Sequence, residues 1–556
     1  MTAPTAPMVT RATGTSLQRL AELSWDRHAA ESELYYEGDR WSGAELAARV
    51  RRVSGGLRAA GLRPGERVVV CMANCPEVSI TYHAVWRAGA ITTPVLFLLS
   101  EDELRHVLTD SAAAFVVTTP EILPKVTAAA AGADRLRGII IVGEPPAAGT
   151  AGSAANTAAN SAADTAANSA ANSAANTAVR GNGGGNGGLL PFAALETAPE
   201  AGLIDVEPSE LAALLYTGGT TGRSKGVMIS HDALSASAWA AMATSYQQTL
   251  RSALLPLPLS HVYGLMVSVM SLHAPDPGTS VLMRWFDPAG WLRLAAEHRV
   301  NLSPLVPSML QMLLQQPLED YDLSALIRLT SGAAPLPRQV ADDFARRLPH
   351  VEIAEGYGCT ETAAIIATSP VGAARAGSVG RPAPGVTVRI ERPDAAEAAP
   401  GEDGEICVRG PMVMTGYWHA PKETAEVMRG GWLHTGDVGH LDADGYLYIV
   451  DRIKDLIIRG GYNVYPRDVE DVLVAHPDVV AAAVVGKPDP KLGEEVVAFV
   501  QLRAGAATEP AELVDHARRH LSAVKYPRDV RILDAIPLTS VMKTDRKRLR
   551  ALVADG

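Results

Sequence analysis

Residues 216–226 read Tyr-Thr-Gly-Gly-Thr-Thr-Gly-Arg-Ser-Lys-Gly, and nine of these eleven are Gly, Ser, Thr or Lys. An apolar run, Leu-Ala-Ala-Leu-Leu, precedes them at 211–215, and Val-Met-Ile follows at 227–229. A buried strand feeding a loop of glycines, hydroxyls and one Lys is suited to holding polyphosphate. Glycines let backbone N–H groups approach phosphate oxygens, hydroxyls add donors, and Lys adds a point charge. A surface linker shares this composition, but a linker does not normally sit between two apolar runs. A P-loop of the G-x-x-x-x-G-K-[ST] kind is excluded, because Gly226 follows Lys225 where a hydroxyl would be needed for Mg²⁺.

Outward from this loop, apolar runs at 68–70, 115–117 and 139–141 read as buried strands, and 44–60 and 101–108 as helices. The alternation predicts an α/β fold with largely parallel sheets. After Gly380 the pattern changes to short strands at 386–391, 405–409 and 446–450, a small β subdomain. Beyond 451–455, a helix at 467–473, strands at 479–486 and 495–502 and a helix at 510–521 predict a small α+β domain. The expected organisation is a large N-terminal domain of α/β subdomains over 1–450, a hinge at 451–455 and a small mobile C-terminal domain over 456–556. Residues 153–176 repeat Ser/Thr-Ala-Ala-Asn/Asp six times, and 181–188 hold six glycines and two asparagines. With no large apolar residue to bury, 145–188 reads as a disordered insertion in a surface loop.

A chain of 556 residues exceeds one ordinary core. Its 47% hydrophobic and 20% charged content is that of a globular protein, and a net charge of −11 argues against a nucleic-acid partner. The four cysteines, Cys71, Cys75, Cys359 and Cys407, show neither zinc spacing nor a disulfide framework. The first fifteen residues lack the apolar core of a signal peptide, so a cytoplasmic location is expected. Residues 253–274 carry no Asp, Glu, Lys or Arg, but Pro256 and Pro258 break the segment. The remainder is too short to cross a hydrocarbon layer of about 30 Å, so a strand, loop and helix are expected there and no membrane span.

Six motifs recur in one order. After the loop come Glu-Gly-Tyr-Gly-Cys-Thr-Glu-Thr at 355–362, Gly-Glu-Ile-Cys-Val-Arg-Gly at 404–410 and Gly-Trp-Leu-His-Thr-Gly-Asp at 431–437. Asp-Arg-Ile-Lys-Asp at 451–455 runs on to Gly460 and Gly461, and Lys543 closes the series within 537–547. Together they resemble the acyl-adenylate-forming superfamily of AMP-dependent acyl-CoA synthetases and adenylation domains, over nearly the whole chain.

The resemblance implies that ATP activates a carboxylic acid as an acyl-AMP and that a thiol then displaces AMP. It implies that Thr217, Gly219, Thr220, Thr221, Gly222 and Lys225 hold the terminal phosphates. Thr360 would donate to the α-phosphate and Glu361 would ligate Mg²⁺, an ion that favours carboxylate and phosphate oxygens. Tyr357 would stack on adenine beside Gly358, with Gly332 and Ala333 in the adenine-side loop. Asp437, supported by Arg452, would accept from the ribose hydroxyls. Lys543 would bridge the attacking carboxylate and the α-phosphate, and His261 would position the acid. Lys454 would be the hinge, with Gly460 and Gly461 lining the thiol path. One position departs from the pattern: Met542 stands where the family carries Gly before the Lys. Gly permits φ > 0 where Met resists it, so an enzyme specialised in the thioester step stays open as an alternative.

No Asp or Glu occurs between 250 and 275, around His261. An amino-acid substrate would need a buried carboxylate for its ammonium, so an apolar acid is expected. Residues 265–270 with Leu305, Val306 and Met309 could wall its pocket, although core packing is the better account of most of them. The expected acceptor is coenzyme A, with a separate carrier protein as the alternative. Oligomeric state stays open, a homodimer included.

Overall fold

The computed structural model describes residues 9–144, 188–217, 223–539 and 544–554. The insertion at 145–187, the loop positions Gly219, Thr220, Thr221 and Gly222, and the pair Met542 and Lys543 lie outside them. The chain divides into two units. The first comprises residues up to Asp287 with Thr360–Ala364 and Pro411–Pro421; the second comprises Pro288–Cys359, Ile365–Gly410 and the chain from Lys422 onward.

The first unit is built on an eight-stranded sheet. Its order is Gly416–Tyr417, Lys225–Ser230, Leu211–Thr217, Ile91–Pro94, Arg67–Cys71, Phe115–Thr118, Gly138–Ile141 and Gly188–Pro191. From Leu211–Thr217 to Gly188–Pro191 neighbouring strands are parallel. Lys225–Ser230 and Gly416–Tyr417 add an antiparallel edge. Helices cover the central strands, which is why Val68, Val69, Val70, Val116 and Val117 are buried without polar alternation. Two helices start on capping boxes, Gly43–Ala59 on Ser42 with Glu45 and Glu101–Asp110 on Ser100 with Glu103. Trp86 is fully buried, and its indole N–H donates to the carbonyl of Ala212 at 2.9 Å, fixing the helix Pro76–Arg87 to the strand that feeds the loop.

A second sheet in this unit aligns Ser252–Leu255, Thr279–Leu282 and Glu33–Tyr36 in parallel, with Asp39–Ser42 antiparallel at its edge. The segment expected to be a strand, loop and helix is Ser252–Leu255 followed by the nine-residue helix Val262–Met270. Among the described residues no helix is long and apolar enough to cross a membrane. Gly264 has a packing reason to be glycine: a Cβ there would lie 2.2 Å from the carbonyl oxygen of Pro258.

The second unit carries the parallel strands Leu302–Leu305, Arg328–Ser331 and Glu352–Tyr357, continued by short antiparallel strands at Ala367–Thr368 and Arg381–Pro382. The expected β subdomain is an antiparallel sheet of Thr387–Glu391, Gly404–Arg409, Trp432–Leu441, Leu447–Arg452 and Met428–Arg429. A third sheet holds Tyr462–Val464, Ile457–Arg459, Gly493–Leu502, Val479–Asp489 and Asp529–Ile532. Helices Pro466–Val474 and Pro510–His520 pack on it through Val469, Leu473, Leu513 and Ala517. The mixed α/β architecture with a small C-terminal domain is the one expected.

Asn74, buried in the first unit, holds the segment before His261. Its amide donates to the carbonyls of Leu257 at 2.8 Å and Met283 at 3.0 Å, and its oxygen accepts from the N–H of Leu259 at 2.9 Å. A buried polar group left unpaired costs about 1–3 kcal/mol. Asn74→Leu strands three, so urea denaturation is expected to show a loss of about 3 kcal/mol or more.

Candidate functional site

In the first unit the two strands that flank the Gly/Thr loop pair with each other. Thr217 pairs with Lys225 and Tyr216 with Gly226 at the ends of antiparallel strands. The helix Glu101–Asp110 holds both stems. Tyr216 donates its hydroxyl to Asp110 at 2.6 Å, and His106 Nε2 lies 2.9 Å from the carbonyl oxygen of Ser224. Burial and the neighbouring Asp110 push the Tyr216 phenol well above its ordinary value. Trp418 closes the group, its indole donating to the carbonyl of Asp110 at 3.1 Å and its backbone N–H to that of Gly226 at 2.7 Å. Gly226 must be small: a Cβ there would lie 2.9 Å from Leu214 Cδ1 and 3.2 Å from Trp418 Cβ. The Ser224 hydroxyl is buried and has no hydrogen-bond partner among the described residues, which suits a donor to an anion.

Beside these stems lies Glu361, in the 3-10 turn Thr360–Thr362. Its Oε1 accepts from the Tyr417 hydroxyl at 2.8 Å, while Oε2 has no hydrogen-bond partner among the described residues. The Lys225 ammonium lies 5.2 Å from the centre of the Tyr417 ring. A carboxylate with one open oxygen near a Lys and a hairpin of phosphate-binding composition fits a divalent cation carried by a polyphosphate. Two residues chosen from sequence, Lys225 and Glu361, are thus brought together, and the residue joining them went unnoticed. Tyr417 lies 56 positions from its partner, and only the pairing of Gly416–Tyr417 with Val227 and Met228 places it there.

His261 caps the helix Val262–Met270, its Nδ1 accepting from the N–H of Tyr263 at 3.3 Å. That contact gives it a structural task whatever else it does.

In the second unit, Tyr357, Asp437 and Arg452 form one network. The Tyr357 hydroxyl donates to Asp437 Oδ2 at 2.6 Å, and Arg452 Nε donates to Oδ1 at 2.7 Å. Asp437 and Arg452 face each other across adjacent strands. Burial, followed by the charge of Asp437, pushes the Tyr357 phenol far up. Asp437 holds the Arg452 guanidinium above its ordinary range. Gly332 and Ala333 follow a parallel strand whose last residue, Ser331, pairs with Glu355 on the strand carrying Tyr357. Ala333 adopts φ +69°, a left-handed conformation that costs a non-glycine residue energy. The carboxyl ends of adjacent parallel strands are where open α/β sheets bind ligands.

Lys454 sits in the 3-10 turn Ile453–Asp455, where burial and then Arg452 lower its pKa. Asp455 in the same turn accepts from Arg550 at 2.7 Å and faces Arg546 at 3.8 Å, so the last helix is tied to this turn. Gly460 and Gly461 form the tip of the hairpin Ile457–Arg459 and Tyr462–Val464, with φ +59° and +82°. That turn requires glycine by itself.

All four cysteines are unbridged. Burial pushes the Cys71 and Cys407 thiols up to about 12, far from nucleophilic. Cys407 lies with His434, Glu405 and Glu391 in a group of metal-ligand type. Arginines already supply its positive charge: Arg429 Nη2 lies 2.7 Å from His434 Nδ1 and 3.2 Å from Glu405 Oε2, and Arg389 pairs with Glu391.

Comparison with known proteins makes this architecture specific. A family model described as AMP-binding enzyme matches residues 21–418, and one described as AMP-binding enzyme C-terminal domain matches residues 468–543. The chain belongs to the AMP-binding enzyme family of the acyl-adenylate-forming superfamily and is an acid–thiol ligase. It is 33% identical to a long-chain-fatty-acid–CoA ligase of Bacillus subtilis over 96% of this chain and 94% of the relative. It is 36% identical to a feruloyl-CoA synthase of Amycolatopsis sp over 91% and 93%. Among solved structures it superposes on ATP-bound MatB from Rhodopseudomonas palustris with a TM-score of 0.82 and 30% identity, covering 97% of this chain and 99% of that one. The amide bond synthetase McbA from Marinactinospora thermotolerans matches with a TM-score of 0.80 and 30% identity, over 96% and 99%.

Asp451 gives a pH test of this region. It is buried, accepts from the N–H groups of Arg452 at 2.7 Å and Arg467 at 3.1 Å, and burial pushes its pKa from 3.8 to about 6. The folded state therefore binds this proton more tightly than the unfolded chain. The group's stabilisation is complete below 3.8, is lost as pH rises through about 6, and is constant above. The melting temperature of the wild type minus that of Asp451→Asn is expected to fall between pH 4.5 and 6.5, roughly the interval of that titration.

Proposed function

We propose that this protein is an ATP-dependent acyl-CoA synthetase that converts an apolar carboxylic acid to its acyl-AMP and passes the acyl group to coenzyme A. The observation that carries the reading is the grouping of Lys225, Tyr417 and Glu361 beside the stems of the Gly/Thr hairpin. The relatives named as fatty-acid and feruloyl CoA ligases support the reaction and an apolar or aromatic acid.

In the first step a carboxylate oxygen attacks the α-phosphorus, its new O–P bond forms, and the bond to pyrophosphate breaks. Thr217, Gly219, Thr220, Thr221, Gly222 and Lys225 hold the departing phosphates, with Thr360 donating to the α-phosphate. Glu361 would hold Mg²⁺, which, when bound, neutralises phosphate charge. Lys543 bridges the two reacting anions, and His261 orients the acid. Gly332, Ala333, Tyr357 and Gly358 form the adenine site. Asp437 accepts from the ribose hydroxyls through lone pairs left beside its bonds to Tyr357 and Arg452. In the second step a thiol loses its proton and attacks the carbonyl carbon, and the C–O bond to AMP breaks. A boundary at 451–455, with Lys454 as pivot, lets a mobile C-terminal domain bring Lys543 to the first step and Gly460 and Gly461 to the second.

Wild-type protein is expected to catalyse ATP–pyrophosphate exchange with a member of a panel of fatty, cinnamic and other aromatic acids, and to form the acyl-CoA when CoA is added. No exchange with any acid, together with thioester formation from presynthesised acyl-AMP, would favour the thioester specialist that Met542 suggests. Product with a small amine but not with CoA would favour amide formation, a second reading supported by the likeness to McbA. Product only with a carrier protein would favour the loading enzyme.

Replacing a preorganised charge that acts in the transition state costs about 10²–10³ in rate. Lys543→Ala is therefore expected to lower exchange by about that factor while sparing thioester formation from acyl-AMP. Lys454→Pro is expected to do the reverse, and equal loss of both half-reactions in both variants would exclude a division of labour about the hinge.

A further inference from the structure

We propose that Tyr417 is a positioning residue that holds Glu361 for a divalent cation and Lys225 for a nucleotide's terminal phosphates; this rests on the functional reading given above for those two side chains. Three contacts carry it. The phenol donates to Glu361 Oε1 at 2.8 Å, which fixes the carboxylate and, among the described residues, leaves Oε2 open. The ring face lies 5.2 Å from the Lys225 ammonium, within the range of a cation–π contact. The backbone that bears Tyr417 is bonded to both neighbours. Met414 donates its N–H to the carbonyl of Glu361 at 2.7 Å, Thr415 donates to that of Met228 at 3.0 Å, and Gly416–Tyr417 pairs with Val227 and Met228 on the strand of Lys225 itself.

Flexible side chains of opposite charge in a partly buried site tend to close on each other as an ion pair, and such a pair must break before either can bind a ligand. An aromatic hydroxyl between them avoids that outcome. It attracts the ammonium through its π face and the carboxylate through its O–H, so neither charge is neutralised. The carboxylate remains a full anion for a cation, and the ammonium remains a full cation for phosphate. Hydrogen bonds donated to a metal ligand from the residue behind it act in this way and are commonly worth about tenfold or more in metal affinity.

The test is ATP binding by isothermal calorimetry over a series of free Mg²⁺ concentrations, with thermal melts to confirm folding. Tyr417→Phe keeps the ring and loses the hydroxyl. It is expected to raise the Mg²⁺ needed for half-maximal ATP binding about tenfold, with little change once Mg²⁺ saturates. Tyr417→Leu also removes the ring and is expected to weaken ATP binding about three- to tenfold even at saturating Mg²⁺. In a Glu361→Gln background Tyr417→Phe should have no further effect on the Mg²⁺ dependence, since its partner's charge is already gone. A wild-type Mg²⁺ dependence in Tyr417→Phe overturns the proposal and leaves the functional reading intact. A full additional shift in the Glu361→Gln background also overturns it, because it would mean general loosening of the site. Absence of any Mg²⁺-dependent ATP binding by the wild type overturns the functional reading and this proposal with it.

Discussion

Two anions cannot be brought together without cations and oriented donors held in advance. Two unit charges 4 Å apart interact by about 4 kcal/mol at the effective dielectric of a protein surface, and a triphosphate meeting a carboxylate multiplies that term. Groups that offset it must not need reorganising as the ligands arrive. Under the proposed reading, the first unit meets this constraint by placing Thr217 and Lys225 on paired strand ends, which are stiffer than a free loop. The helix Glu101–Asp110 reinforces those ends through His106 and Asp110. The bonds of Tyr216 to Asp110 and of His106 to the Ser224 carbonyl tie both stems to one helix and keep them from spreading.

The fold was legible because its signals are local. Buried parallel strands are covered on both faces, so Val-Val-Val at 68–70 and Ile-Ile-Ile at 139–141 announce themselves without polar alternation. The antiparallel strands after Gly380 announce themselves differently, with one face polar. The candidate site residues inside long motifs stand out for the same reason. Tyr417 was not, because what gives it meaning is a two-residue strand at the sheet edge, and no periodicity can show in two residues. The Asp110 contact to Tyr216 was hidden similarly, as Asp110 reads from sequence as the polar end of an amphipathic helix.

The second unit shows how one carboxylate can carry several tasks. Asp437 is buried yet ionisable, and a buried charge is tolerable only when paired. Arg452 supplies the charge and Tyr357 a neutral donor. Because Arg452 leads directly into the turn that bears Lys454, its position depends on the backbone of the proposed hinge. A rotation about that turn would therefore disturb the partner of Asp437. Under the proposed reading, nucleotide affinity and hinge state are linked through one ion pair, without a separate relay.

Under the proposed reading, substrate choice rests on different physics. His261 sits on a helix whose Leu265, Met266 and Val269 are buried, and Leu305, Val306 and Met309 are buried too. Such residues do not select by charge, and the stretch from 250 to 275 has no Asp or Glu with which to do so. Selection then falls to cavity volume and shape. Each methylene gained or lost in an apolar pocket is worth about 1–3 kcal/mol, so a few substitutions at such positions suffice to exchange a chain for a ring. Relatives named for a long-chain fatty acid and for ferulate stand at similar identity to this chain, 33% and 36%. The machinery that handles phosphate is spread over ordered motifs and is hard to alter piecemeal. Under that reading the walls that select the acid are apolar side chains of the kind that also fill cores, which is why the reaction class is written plainly in this sequence and the acid is not.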